Sequence, residues 1–568
     1  MSHALATDPA QQSEANPSAP PRVFRLSFSG VGLWFAALFF AFSLYPSLLP
    51  RAGYVQGIAS GITVMVGYGL GVGLQTLWRF LQIPTPRASR AKIIKRVFLV
   101  LLVLTVGTAI WQYVGWQNEV RGIFDQPSIT PVTWPVIVLV GGLVAALILV
   151  VARSVRKLAV FSTHLLGRRL PPRLAQAISV GTLVLLVWLL VTGILVNGFF
   201  AAANAMFSTR DTATTEGVVQ PTSTQRSGGP NSLVLWESLG RKGRDFVATG
   251  PTVEQIDEFT GGGAVEPIRA YVGLDSEPTL QGRADLLLRE LQATGAFDRE
   301  VLVVATTTGT GFLDPAAVDP LEYMYNGDTA IAGVQYSFLP SWISLLADQE
   351  AVKKTSRVVF ETVHDYWSTL PDDDRPDLYL YGLSLGSFGV ESVLTSVNLI
   401  NEPIDGAFMS GPPFVNSLHD EIEAERDPGS PAWLPAFENG RTVQFTSSGS
   451  EIEGVVDGPW GPTRLVYLQH SSDPVVFFNQ KLALEMPAWL EYGQRGPDIP
   501  EEMTWVPLVT MWQVALDLPA AGSVPVGHGH MYSKESNAQA WAAMTRPQGW
   551  TPADTDRLVA QMDGDGTG

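Results

Sequence analysis

Five apolar stretches fill most of the first two hundred residues, at about 28–50, 56–78, 97–116, 132–152 and 176–200. Each is near the roughly 20 residues an α-helix needs to cross a hydrocarbon core. Nothing else limits the fold as much, because a backbone in lipid must satisfy its own hydrogen bonds, and a helix does so within one segment. Leu99-Val100-Leu101-Leu102-Val103-Leu104 and the run from Val180 to Val191 are apolar on every face, as lipid-facing helices must be. The second stretch is diluted by Gly61, Gly67, Gly69, Gly71 and Gly73, a spacing that suits close helix–helix packing. A cleaved signal peptide competes for the first stretch. That stretch is long, starts late and is followed by four more, so a retained anchor is expected.

Charge gives the orientation. Through residue 200 there are sixteen Lys and Arg against four Asp and Glu; the remainder has twenty-one against fifty. Arg79, Arg87, Arg90, Lys92, Lys95 and Arg96 lie between the second and third stretches, and Arg153, Arg156, Lys157, Arg168, Arg169 and Arg173 between the fourth and fifth. The opposite loops hold only Arg51 and Arg121. The positive-inside rule puts the basic loops in the cytoplasm, so five spans leave everything after residue 200 outside. Cations hard against apolar spans are not a nucleic-acid surface. No span has a charged residue in its central portion, which weighs against a channel or transporter. There are no cysteines, so disulfides, thiolate metal sites and cysteine nucleophiles are excluded.

The chain divides into an unstructured cytoplasmic tail (1–21), a helical transmembrane region (22–203), a polar linker (204–232) and an acidic domain (233–568) in which strands and helices alternate. Strands are expected at 268–274, 301–306, 329–336, 405–409 and 465–468, with helices at 284–293 and 354–370. This alternation predicts a mostly parallel, doubly wound sheet. Its centre is Leu378-Tyr379-Leu380-Tyr381-Gly382-Leu383-Ser384-Leu385-Gly386, an apolar strand that turns through Gly-x-Ser-x-Gly into helical spacing. Such a turn is a nucleophile elbow, which lifts the serine hydroxyl clear of the sheet and turns the Leu385 amide towards a developing oxyanion.

With this elbow the chain resembles the α/β-hydrolase superfamily, and with its multi-span anchor it looks like a bacterial membrane-anchored group on that fold. The resemblance implies a triad in the order serine, acid, histidine. Asp473 follows the expected strand at 465–468 and is locked by Pro474, where that superfamily places its acid. Histidine candidates are His528 and His530 in Gly527-His528-Gly529-His530. The Gly-x-Gly-His phrasing favours His530, with His528 as the alternative base. The turn Thr307-Thr308-Gly309-Thr310-Gly311 stands where the superfamily supplies its second oxyanion donor, so Thr308 or Gly309 is expected in that role. His364-Asp365 precedes the elbow, an order the superfamily does not use, and is taken as structural.

Two insertions, about 412–462 and 475–524, are dense in aromatics, among them Phe414, Trp433, Phe437, Trp460, Phe477, Phe478, Trp489, Trp505 and Trp512. They read equally as a lid or acyl pocket and as the insertions' own core. The resemblance implies a membrane-anchored serine hydrolase that cleaves lipid or cell-envelope acyl esters through an acyl-serine, with its catalytic domain outside the cytoplasm. It implies no metal or cofactor, and membrane lipids or an acylated envelope molecule as partners. Two alternatives keep the fold: an acyltransferase that delivers the same acyl group to a lipid or sugar hydroxyl, and a non-catalytic membrane scaffold.

Overall fold

The strands of highest apolar density assemble into one sheet. In the computed structural model, which describes residues 28–84, 88–347, 349–396, 398–449, 451–452 and 460–564, seven strands pair in the order β1-β3-β2-β4-β5-β7-β6. They are β1 (Ile268–Val272), β2 (Val301–Thr306), β3 (Thr329–Val334), β4 (Asp377–Leu383), β5 (Gly406–Ser410), β6 (Val443–Thr446) and β7 (Arg464–Leu468), and every pairing is parallel. A parallel sheet is covered on both faces, which is why its strands read as continuous apolar runs rather than alternating ones. The 1–21 tail and Arg87 lie outside the described residues.

The register sets up the site. Thr306 pairs with Gly382, Leu383 with Ser410, and Ser410 with Leu468, so four neighbouring strands end at one level. Residues just beyond those ends share one edge, where open α/β sheets bind ligands. β6 was not expected. Val-Gln-Phe-Thr is a four-residue run inside the first insertion, too short to show a period, yet it forms the sheet's outer strand. Trp460 and Phe437 of that insertion pack into the main core.

Six helices make up the N-terminal part: α1 (Gly30–Ser43), α2 (Gly53–Phe80), α3 (Ala88–Ile123), α4 (Trp134–Leu166), α5 (Pro172–Leu189) and α6 (Asn197–Asp211). Among the described residues, four stretches are long and apolar enough to cross a membrane: Gly53–Phe80, Lys92–Ile123, Pro131–Leu166 and Pro172–Leu189. The expected first span is shorter. α1 has 14 residues, about 21 Å at 1.5 Å per residue, against a hydrocarbon core of about 30 Å. Residues 44–50 leave the helix, and Leu48 and Leu49 enter a core described below.

The glycines of α2 work in pairs. A β-carbon at Gly61 would sit 2.7 Å from the Gly141 carbonyl oxygen, and one at Gly57 2.8 Å from Val140 Cβ, both on α4. At Gly67 and Gly71 it would sit 2.6 and 2.8 Å from the Phe35 and Val31 carbonyl oxygens of α1. Gly69 and Gly73 face open space. One helix thus presents two small-residue stripes, one to each neighbour.

α5 passes through a π-helical stretch, Leu190–Val196, into α6, so helix continues past the expected 203/204 boundary to Asp211. The remainder of the expected linker packs on the sheet: Arg226 bridges Arg269 of β1, and the Ser227 hydroxyl accepts from the Tyr271 amide (3.0 Å) and donates to the Glu290 carboxylate (2.8 Å). Asp211 accepts from the Arg241 amide (3.0 Å), at the start of α7 (Gly240–Ala248), and its carbonyl accepts from Arg244 of the same helix (2.8 Å).

Candidate active site

The elbow is forced by contact. A β-carbon at Gly382 would collide with the Gly386 backbone, and one at Gly386 with the Thr306 carbonyl oxygen. Only glycine fits on either side of Ser384. Ser384 itself has φ 56° and ψ −125°, a strained conformation for a residue with a side chain. It is held by its amide, which donates to the Ser410 carbonyl (2.8 Å), and by the start of α10 (Leu385–Leu394; α8 and α9 are Pro315–Met324 and Gln349–Trp367).

The acid and the histidine meet at the same edge. His530 Nδ1 lies 2.6 Å from Asp473 Oδ2, and the Tyr532 hydroxyl donates to that oxygen at 2.7 Å. Asp473 Oδ1 accepts from the Val475 amide at 2.8 Å, so the acid also caps the short helix Pro474–Phe477. The carboxylate is fully buried. Burial alone pushes its pKa up, but the adjacent imidazole and the hydrogen bonds from His530, Tyr532 and Val475 outweigh this and hold it below the ordinary value. Tyr532 was not anticipated as a partner of the acid.

The imidazole packs against the end of β5. A β-carbon at Gly411 would sit 2.5 Å from His530 Cε1, so the ring lies against the residue following Ser410, the acceptor of the Ser384 amide. His530 Nε2 is buried with no hydrogen-bond partner, and Ser384 Oγ makes none among the described residues. His528 points elsewhere. Its Nδ1 lies 3.3 Å from Asp498 Oδ2, and its ring packs on Phe124 at the end of α3, centroids 4.9 Å apart.

Of the expected oxyanion donors, Leu385 stands at the first position of α10, where a backbone N–H has no intrahelical acceptor. The other two are engaged. The Thr308 amide donates to the Phe312 carbonyl (3.0 Å), closing the turn, and the Gly309 amide to Ser341 Oγ (3.2 Å). His364 Nε2 donates to the Glu402 carbonyl oxygen at 2.8 Å.

The aromatic insertions divide their work. Phe477, Trp489, Trp433, Phe478 and Trp505 pack in or against a core that also holds Leu48, Leu49, Val120 and Phe124 of the N-terminal helical region. Phe414 packs instead on the cluster of Tyr336, Leu385 and Phe388 behind the elbow, and edge-on to Phe478 at 4.8 Å. A cavity of about 290 Å3 lies on the other side of Phe414, lined by Phe414, Phe477, Phe478 and Trp489 with Asp420, Glu423, Lys481 and Glu485, and includes neither Ser384 nor His530. A larger one, about 370 Å3, lies behind the acid loop against His470 and Asp498 and includes neither Ser384 nor His530.

Comparison with known proteins agrees with this architecture. A family model described as "Alpha/beta-hydrolase family" matches residues 268–558, just over half of the chain, and one described as "Alpha/beta-hydrolase family N-terminus" matches residues 44–251. No curated protein and no solved structure matches the chain. With a parallel seven-stranded sheet, a Gly-Leu-Ser-Leu-Gly elbow at its edge and both family models in chain order, this protein belongs to the alpha/beta-hydrolase family.

Proposed function

We propose that this protein is a membrane-anchored serine hydrolase that cleaves carboxylic esters of lipids or cell-envelope acyl groups. The observation that carries this reading is the Asp473–His530 pair at 2.6 Å, with the imidazole against Gly411, beside the strained Ser384. Ser384 Oγ attacks the ester carbonyl carbon while His530 Nε2 takes its proton. The tetrahedral intermediate collapses, the C–O bond to the alcohol breaks, and the alcohol leaves with the proton from Nε2. Water then repeats the sequence on the acyl-serine and releases the acid. Asp473 keeps Nδ1 protonated and stabilises the imidazolium, and the Leu385 amide faces the oxyanion.

Helix directions support an extracytoplasmic site. α1 ends, α2 begins, α3 ends and α4 begins on the side of the hydrolase domain, with Arg51 and Phe124 touching it. The α2–α3 and α4–α5 connections, which hold the two basic clusters, are at the opposite ends. Cytoplasmic cations then leave the hydrolase outside.

A membrane-impermeant fluorophosphonate tests both points on intact cells. It should label the wild-type chain and leave Ser384→Ala unlabelled, because the probe bonds covalently to the serine oxygen. Labelling that survives Ser384→Ala rejects the nucleophile, and labelling that appears only after lysis rejects the topology.

A further inference from the structure

We propose that the membrane-domain helix α3 holds the catalytic loop in place, with Phe124 and His528 as positioning residues for His530. The proposal rests on His530 being the base described above. His530 stands in a loop with Gly527 and Gly529 at φ 90° and 53°, two positions that leave the backbone permissive. A base must be held to within about 0.5 Å of its productive position, so such a loop needs external restraints.

Those restraints are specific. The Gly529 amide donates to Ser472 Oγ (2.9 Å), its carbonyl oxygen lies 2.9 Å from His470 Nδ1, and the His530 amide donates to the Ala521 carbonyl (3.0 Å). Ser472 Oγ donates in turn to Asp498 Oδ2 (3.0 Å), the oxygen that faces His528 Nδ1. His528 closes the chain by packing on Phe124, which is fully buried at the C-terminal end of α3. A contact path therefore runs Phe124–His528–Asp498–Ser472–Gly529. It ends one residue before His530, and Ser472 is one residue before Asp473.

A second arm reaches the same loop. A β-carbon at Gly529 would sit 3.5 Å from Leu49 Cδ2, on the segment between α1 and α2, and Leu49, Phe124 and Ala521 share one core. Val120 is the natural control. It is buried in that core, one turn before Phe124, but is not a ring partner of His528.

The test uses the full chain in membranes, with fluorophosphonate labelling rate, ester kcat and KM, and hydrogen exchange over residues 527–531. Phe124→Ala and His528→Ala should each slow labelling about three- to tenfold, the range expected for one aromatic pair. The loss should fall on kcat rather than KM, and Phe124→Tyr should restore it. The double variant should be no slower than the worse single, since both break one path. Loop exchange should accelerate in Phe124→Ala and stay unchanged in Val120→Ala. Additive losses, or equal effects from Val120→Ala and Phe124→Ala, would overturn the proposal. Exchange needs no turnover: an unlabelled wild type rejects the hydrolase reading, while the exchange comparison still judges the restraint.

Discussion

Tyr532 shows how a residue outside the sequence motifs sets the surroundings of one within them. Its hydroxyl and His530 Nδ1 share Asp473 Oδ2, so removing it leaves a buried carboxylate short of one donor. Hydrogen bonds to charged groups contribute about 1.5–3 kcal/mol. The carboxyl pKa is depressed in the folded state, so its contribution to stability is present above the ordinary Asp value near 4 and lost as pH falls through the depressed one. Tyr532→Phe should therefore shift the acid limb of a melting-temperature profile to higher pH and lower kcat several-fold, with the neutral-pH fold retained. Unchanged acid stability in Tyr532→Phe would show that the hydroxyl does not hold the acid. The Gly382–Gly386 turn was legible because its spacing is local, and Asp473 and His530, expected from the order of the resemblance, lie 2.6 Å apart in the structure. Tyr532 was not legible, since nothing in its type or spacing marks a side chain that folds back on an acid 59 positions earlier. Nor could the spacing of Thr308 and Gly309 reveal that their amides close onto Phe312 and Ser341.

At the level of elements, α2 carries the most information. Its glycines were visible as a packing signal, but only geometry divides Gly57 and Gly61, which meet α4, from Gly67 and Gly71, which meet α1. Gly61→Leu should push α2 and α4 apart and lower the melting temperature of the detergent-solubilised chain, since overpacking costs about 1–3 kcal/mol. Gly69→Leu is the contrast. It enters open space and gains helix propensity, so it should melt at or above the wild-type temperature. Equal behaviour of the two variants would remove the packing assignment. β6 escaped detection for a simple reason: four residues at the sheet's outer edge, separated from β7 by a long connection, show too little periodicity to stand out. The second insertion escaped differently. Its aromatics do form a core, but the other half of that core lies more than 350 residues earlier, at Val120 and Phe124.

At the scale of the whole molecule, a buried ion pair between Arg51 and Asp517 joins the two halves. Arg51 Nε lies 2.9 Å from Asp517 Oδ1 on α11 (Val509–Asp517; α12 is Lys534–Thr545), both side chains buried, and Ser47 donates to the other carboxylate oxygen. Arg51 also donates to the Gln513 carbonyl (2.8 Å), and Gln513 returns a hydrogen bond to the Tyr45 carbonyl (3.0 Å). Breaking a buried pair by removing one partner costs about 3–5 kcal/mol, whereas replacing both with apolar residues is often neutral. Arg51→Ala should thus expose the 475–524 region to protease, and Arg51→Met with Asp517→Leu should largely restore resistance. Equal proteolysis of both would show that the pair does not secure the interface. On the far side α6 enters the hydrolase domain as unbroken helix, clamped at Asp211 by Arg241 and Arg244. A flexible tether of twenty residues would let an enzyme roam roughly 25 Å about its anchor. This chain has a strut in place of a leash, so the Ser384 edge of the sheet is carried at a fixed distance from the helical region, and under the proposed membrane anchoring that distance would set the height at which an ester must be presented.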